Sequence, residues 1–354
     1  MRSSSFWFGL ALLAGALGNP LWALPNKANN IALPDVSQTV DLRVAYVENP
    51  RFAALPKAHL DAVMAQAAIA VRQHFGLDVR FAALQTLPIS TVFSRISERS
   101  AAKAEKARID PTADARLREK LASSLLKDMR QEGSLAAQKR FALPHLLHPP
   151  AGSSDLAFAR ALVATQHDQL SAWRDTPAKD GQPTIGSDRY NEYTYWLALG
   201  DTDLPFEVIL TNQLIASAEW EDNSVHSALR GGVSNGITSQ SRQARFQLYS
   251  VVSSFAFVDG SAQTRRLRAE SANAPSSPLD APRAMGLLLA HELGHQLLHL
   301  GHPFGNLHCV MTPPVRLEFQ RWEDALDAAR CPLGSAPAIR PGFVKFVRPE
   351  VLFK

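Results

Sequence analysis

The sequence lacks the features that mark several large classes of protein. It has only two cysteines in 354 residues, too few for a zinc site built from cysteine alone. Its net charge is +4 but no block of lysine and arginine stands out, so we expect no nucleic-acid partner. No Lys-Ser or Lys-Thr pair follows the glycine-rich stretch 230–236, which excludes a P-loop. Beyond the N-terminus no apolar run is long enough to span a bilayer, so we expect no stable membrane insertion.

The start of the chain has the pattern of a secretory signal. Met1-Arg2 supplies a positive charge, residues 6–17 form an uncharged apolar run, and small residues lead to Ala23. We predict a signal peptide over residues 1–23 and a mature protein that is secreted or periplasmic. An uncleaved N-terminal anchor is the alternative. In an exported chain the two cysteines, Cys309 and Cys331, indicate one possible disulfide, with two buried thiols as the alternative.

The remaining residues, 24–354, predict one domain of the α+β class whose N-terminal part is α/β-like. Strand patterns at 42–47, 77–81 and 89–93 surround a helix over 60–75 that ends at Gly76, which indicates at least one parallel strand pair. Residues of about 97–180 predict a helical insertion, since apolar residues recur there at helical spacing. A separate small helical domain is the alternative for this segment.

The second half of the chain contains further strand patterns and one notable helix. Residues 206–211 predict a buried strand, 230–236 a glycine-rich turn or loop, and 246–257 a long alternating strand. Residues 282–300 predict a helix with Pro282 in its first turn. The 246–257 strand is either a plain core strand or one that runs along a cleft and pairs with an extended peptide.

The predicted helix 282–300 carries the sequence His-Glu-Leu-Gly-His at 291–295. His291 and His295 are four residues apart, so they lie on one face of the helix, one turn apart, where two imidazoles can hold one zinc ion. Glu292, beside the first histidine, is placed to take a proton from zinc-bound water. A solvated, histidine-rich helix end is the alternative. Five of the eleven histidines fall between 291 and 308, which favours the metal site.

A catalytic zinc ion takes three protein ligands, and three histidines are candidates for the third. His299 lies eight residues beyond His291, about 12 Å along a straight helix, so it is expected to be a supporting or surface residue. Gly301 is a natural end for the helix, and His302 is the first residue after it that is able to point back at the zinc. We favour His302 over His308, which would reach the metal after a longer loop.

The segment from His291 to His302, followed by Cys309-Val310-Met311, resembles the metzincin clan of zinc peptidases, in particular its matrixin-like and archaemetzincin-like members. The resemblance covers roughly 291–312, with one extra residue before His302 and Leu298 at the glycine position. It implies a metzincin-like catalytic domain: a twisted mixed sheet, an active-site helix, a Met-turn and a C-terminal helix over 318–330. It also implies that His291, His295 and His302 bind Zn2+, that Glu292 is the base and that Met311 underlies the metal.

These residues predict an exported zinc-dependent endopeptidase that hydrolyses peptide bonds in a protein or peptide substrate. The zinc-activated water attacks the scissile carbonyl while Glu292 acts as general base. Two alternatives stay open. One is a zinc amidase acting on cell-wall peptides, and the other is a non-enzymatic, zinc-stabilised binding protein.

Overall fold

The protein has a mixed α+β fold in a computed structural model that describes residues 39–107, 114–131, 135–217, 222–234, 248–270, 280–298, 300, 307–314 and 316–331. The predicted signal peptide, residues 1–23, lies outside these ranges. Within them, no helix combines the length and apolar character needed to cross a membrane.

The N-terminal part contains the predicted strand–helix–strand unit. Its elements are β1 (Thr39–Leu42), β2 (Val44–Glu48), α1 (Lys57–Phe75), β3 (Asp78–Phe81), β4 (Gln85–Pro88) and α2 (Ile89–Phe93). Strands β1 and β3 pair in parallel, as do β2 and β4, and α1 ends at Gly76 with a φ of 71°. The predicted strand over 89–93 is wrong, because these residues form the short helix α2. A brief run of apolar, β-branched residues fits a buried helix turn as well as a strand.

The segment predicted as a helical insertion is helical. It contains α3 (Glu98–Ala107), α4 (Ala115–Gln131), α5 (Leu135–Ala142) and α6 (Asp155–Arg174). Ser154 caps α6 by accepting a hydrogen bond from the Ala157 N–H at 3.1 Å. Buried side chains of α4 and α6, among them Ala122 and Val163, form a small apolar cluster of their own. The insertion therefore carries part of its own core, and strands resume after it.

The later strands complete a five-stranded mixed sheet. The elements after the insertion are α7 (Tyr193–Ala198), β5 (Val208–Thr211), β6 (Ile215–Ala216), α8 (Asp222–Ser227), β7 (Leu229–Arg230), β8 (Gly232–Ser234), β9 (Ser250–Ser253), α9 (Phe255–Val258) and α10 (Ala262–Glu270). The strand order is β4-β2-β5-β9-β8, and all neighbours are parallel except β8, which runs antiparallel to β9 at the edge. Strand β5, predicted from residues 206–211, lies buried at the centre of this sheet.

Two predictions for this region are wrong within the described residues. The glycine-rich stretch is not simply a loop, since β8 pairs with β9 through Val233 and Val251. The predicted strand over 246–257 is a strand only at 250–253, and α9 follows it. The hydroxyl of Ser253 accepts a hydrogen bond from the Phe255 N–H at 3.1 Å, so a serine side chain helps to end the strand. Strand β9 is also an interior strand, and β8 is the edge strand on its side of the described sheet.

The helix with the histidine motif, α11 (Ala281–Leu298), is buried over most of its length. It confirms the helix predicted from Pro282, and all residues from 284 to 298 are buried. A helix that is apolar on every side packs within a core, here between α1 and the sheet. The hydroxyl of Ser250 in β9 donates to Gln296 Oε1 at 2.7 Å and ties the helix to the sheet. The C-terminal helix α12 (Phe319–Ala325) is shorter than the predicted 318–330.

Candidate metal centre

His291 and His295 face each other on α11. Their Nε2 atoms are 3.1 Å apart and their ring planes are nearly perpendicular, at 89°. Both side chains are buried. The four-residue spacing therefore does what the sequence predicts: it brings two imidazole nitrogens to one point on one face of the helix.

Each ring is oriented by a backbone carbonyl. His291 Nδ1 donates to the Val310 oxygen at 2.8 Å, and His295 Nδ1 donates to the Leu300 oxygen at 2.6 Å. A carbonyl only accepts, so the proton of each neutral ring is on Nδ1 and the Nε2 atom carries a lone pair. At 3.1 Å the two Nε2 atoms lie within hydrogen-bond distance of each other, so a cation held between them would have one donor nitrogen on each side.

The surroundings keep His291 in the form that binds metal. Burial lowers the pKa of His291 to about 4, the hydrogen bond to Val310 acts in the opposite direction, and the positive charge of Arg230 lowers it further. The ring is therefore neutral at pH 7, as a metal ligand must be. Two nitrogens at the usual Zn–N distance and a tetrahedral angle are about 3.3 Å apart. The observed 3.1 Å is close to this value, so the two donors fit zinc.

The carbonyl that orients His295 belongs to Leu300, two residues beyond the end of α11. The Leu300 N–H donates to the Gly294 oxygen at 3.2 Å, so Leu300 lies back against the C-terminal part of α11. Its carbonyl oxygen lies beside the side chain of His295. Leu300 thus bonds to α11 through its N–H and orients His295 through its carbonyl.

Met311 packs behind the turn of α11 that carries both histidines. A Cβ atom at position 294 would lie 2.3 Å from Met311 Sδ and 2.8 Å from Phe75 Cζ, so only glycine fits there. Met311 is fully buried. The residue that the metzincin resemblance places beneath the metal therefore lies against the helix between the two histidine positions.

The chain around Met311 is tied to the C-terminal segment. Cys309 and Cys331 form a disulfide, which confirms the disulfide considered from the sequence. The Trp322 indole N–H donates to the Thr312 oxygen at 2.8 Å. Residues 309–312, called here the 309–312 turn, are closed by a hydrogen bond from the Thr312 N–H to the Cys309 oxygen at 2.9 Å. This turn supplies both Met311 and the Val310 carbonyl.

Glu292 lies against the edge strand β8. A Cβ atom at Gly232 would lie 2.2 Å from Glu292 Oε1 and 2.7 Å from its Cγ and Cδ atoms. The missing side chain of Gly232 therefore makes room for the carboxylate beside the first histidine. Sequence reasoning missed this residue because it treated the glycine-rich stretch as a loop. A glycine within a strand pattern often marks such a close approach, and that was the available signal.

Arg230 and the two carbonyl groups were also missed. The Arg230 guanidinium lies over the Tyr193 ring, 4.6 Å from the ring centre, and its charge acts on His291. No pattern of residue types points to this pairing across the fold. The carbonyls of Leu300 and Val310 have no sequence signature at all, since every residue has a carbonyl.

The third-ligand candidates fall in different parts of the chain. His302, the favoured candidate, and His299 lie outside them. His308 donates from Nδ1 to the Ala325 oxygen at 2.7 Å. Across the part of the chain that the structure describes, no group of three or more His, Cys, Asp or Glu side chains could hold a metal ion together. His308 is thus not brought together with His291 and His295.

Comparisons of the chain with models of protein families, with curated proteins and with solved structures give no match. A fold alone does not define an activity. The function is therefore inferred from the geometry and chemistry of the site.

Proposed function

We propose that the chain is a zinc-dependent metallopeptidase, an exported endopeptidase of metzincin-like architecture. The observation that carries the proposal is the buried pair His291 and His295. Both Nδ1 atoms are bonded to backbone carbonyls, and the two Nε2 atoms lie 3.1 Å apart. The proposed zinc ligands are His291, His295 and His302.

The proposed reaction is the hydrolysis of a peptide bond. When bound, zinc polarises the scissile carbonyl and lowers the pKa of a water molecule. Glu292 accepts a proton from the attacking water as the new C–O bond forms. It then delivers that proton to the amine nitrogen as the C–N bond breaks. The contact with Gly232 limits where the Glu292 carboxylate can lie, which supports a fixed position for the base.

The proposed substrate is a protein or an extended peptide. Strand β8 is an edge strand with β9 as its partner in the described sheet, and Gly232 brings it against Glu292. The outer edge of such a strand can pair with an extended peptide through backbone hydrogen bonds. A mixed sheet with an antiparallel edge strand next to the histidine helix supports the metzincin-like assignment.

The substitution Glu292→Gln tests the proposal, because it keeps the size of the side chain and removes its ability to accept the proton. We expect the variant to bind zinc as the wild type does and to cleave casein at least about 100-fold more slowly. Zinc content and casein cleavage are measured on the same preparations. Equal cleavage by both proteins would refute the role of Glu292. Faster turnover of cell-wall peptides than of casein would favour the amidase instead.

A further inference from the structure

The 309–312 turn connects the disulfide to the histidine pair through adjacent residues. Cys309 forms the disulfide, and the next residue, Val310, accepts the hydrogen bond from His291 Nδ1 at 2.8 Å. Met311 then fills the space beside Gly294. A shift of this turn would therefore move both the Val310 carbonyl, which orients His291, and the Met311 side chain, which packs against α11.

Hydrogen bonds and one covalent bond hold this turn to the C-terminal segment. The Trp322 indole donates to the Thr312 oxygen at 2.8 Å, and the Asp327 N–H donates to the His308 oxygen at 2.9 Å. The disulfide joins residues 22 positions apart. Hydrogen bonds can exchange with water and so leave the segment some conformational freedom. A covalent link removes more of that freedom.

We infer that the Cys309–Cys331 disulfide positions the metal ligand His291. Through this positioning, the disulfide sets the affinity and geometry of the metal site. The inference rests on the proposed function only in that His291 binds the metal, and it does not need peptidase activity. Groups that orient a metal ligand through a hydrogen bond change metal affinity about 10- to 100-fold when they are lost. We expect a change in that range when the disulfide is removed.

The test uses the full chain with Cys309→Ser and Cys331→Ser together, and Co2+ as the probe. The visible absorption of bound Co2+ reports the ligand geometry, and titration gives the dissociation constant. We expect 10- to 100-fold weaker binding and a changed spectrum. Leu162→Ala is the matched control, because Leu162 is fully buried in an apolar cluster that contains no residue of the 309–312 turn. This control should lose stability and keep the wild-type affinity and spectrum.

A second measurement uses only the wild-type chain and so does not depend on the folding of a variant. By thermodynamic linkage, saturating Co2+ must make the disulfide harder to reduce by the same 10- to 100-fold factor. The reduced fraction is measured in glutathione buffers at fixed free Co2+. The inference would be overturned if the disulfide were reduced to the same extent with and without Co2+, or if the double variant bound Co2+ as tightly as the wild type. Either result would leave the proposed peptidase activity standing. A wild-type chain that binds no Co2+ would overturn the proposed function as well.

Discussion

Gly232→Ala is expected to remove catalysis and to leave metal binding intact. The added Cβ would lie 2.2 Å from Glu292 Oε1, whereas ordinary contact begins at 3.4 Å. The carboxylate must therefore move by about 1.2 Å, the difference between these distances. When a catalytic group is misplaced by about 1 Å, the rate of the reaction falls on the order of 100-fold. The Cγ and Cδ atoms of Glu292 would lie 2.7 Å from the added Cβ, so the side chain must shift as a whole.

The matched control for this prediction is Gly231→Ala. Its Cβ would meet Leu288 Cδ2 at 2.8 Å, which is the end of an apolar side chain and not part of the proposed base. Casein cleavage and zinc content are measured for both variants. We expect about 100-fold slower cleavage for Gly232→Ala and near wild-type cleavage for Gly231→Ala, with zinc retained in both. Wild-type cleavage by Gly232→Ala, or equal losses in the two variants, would refute the reasoning.

Three further predictions concern packing, pH and the third ligand. Gly294→Ala forces a Cβ against Met311 and should lower the free energy of unfolding in urea by about 1–3 kcal/mol, so an unchanged value would contradict the close packing. Burial lowers the pKa of His226 to about 4, below its unfolded value of 6.5, so His226 contributes stability above pH 6.5 that is lost as the pH falls toward 4. In urea unfolding, His226→Gln should remove up to about 3 kcal/mol of this dependence of the unfolding free energy on pH. An equally steep loss of stability with falling pH in the variant and the wild type would count against the prediction. His302→Ala should lose zinc by metal analysis and His308→Ala should keep it, and the reverse result would reassign the ligand.

The sequence predicts those parts of the fold and site that depend on local spacing. The four-residue interval between His291 and His295 places both rings on one helix face in any α-helix, so this part of the site follows from the motif. The end of α1 at Gly76 follows from the left-handed conformation that glycine adopts readily. The central strand, β5, is rich in apolar and β-branched residues, so it can be recognised without knowledge of its neighbours.

The parts that depend on contacts between distant residues could not be predicted in the same way. Gly232 lies 60 positions before Glu292 in the chain, and its role arises only when β8 packs against α11. The orientation of His291 depends on the carbonyl of Val310, which has no side-chain signature. The C-terminal end of β9 differs from the prediction because the hydroxyl of Ser253 accepts a backbone hydrogen bond that competes with the strand pattern.

The most direct test of the zinc assignment is the metal content of the purified full chain, measured by mass spectrometry alongside the double variant His291→Ala, His295→Ala. The two Nε2 atoms at 3.1 Å predict one zinc ion per wild-type chain and none in the variant. A wild-type chain without zinc after incubation with the metal, or a variant with undiminished zinc, would contradict the metal centre.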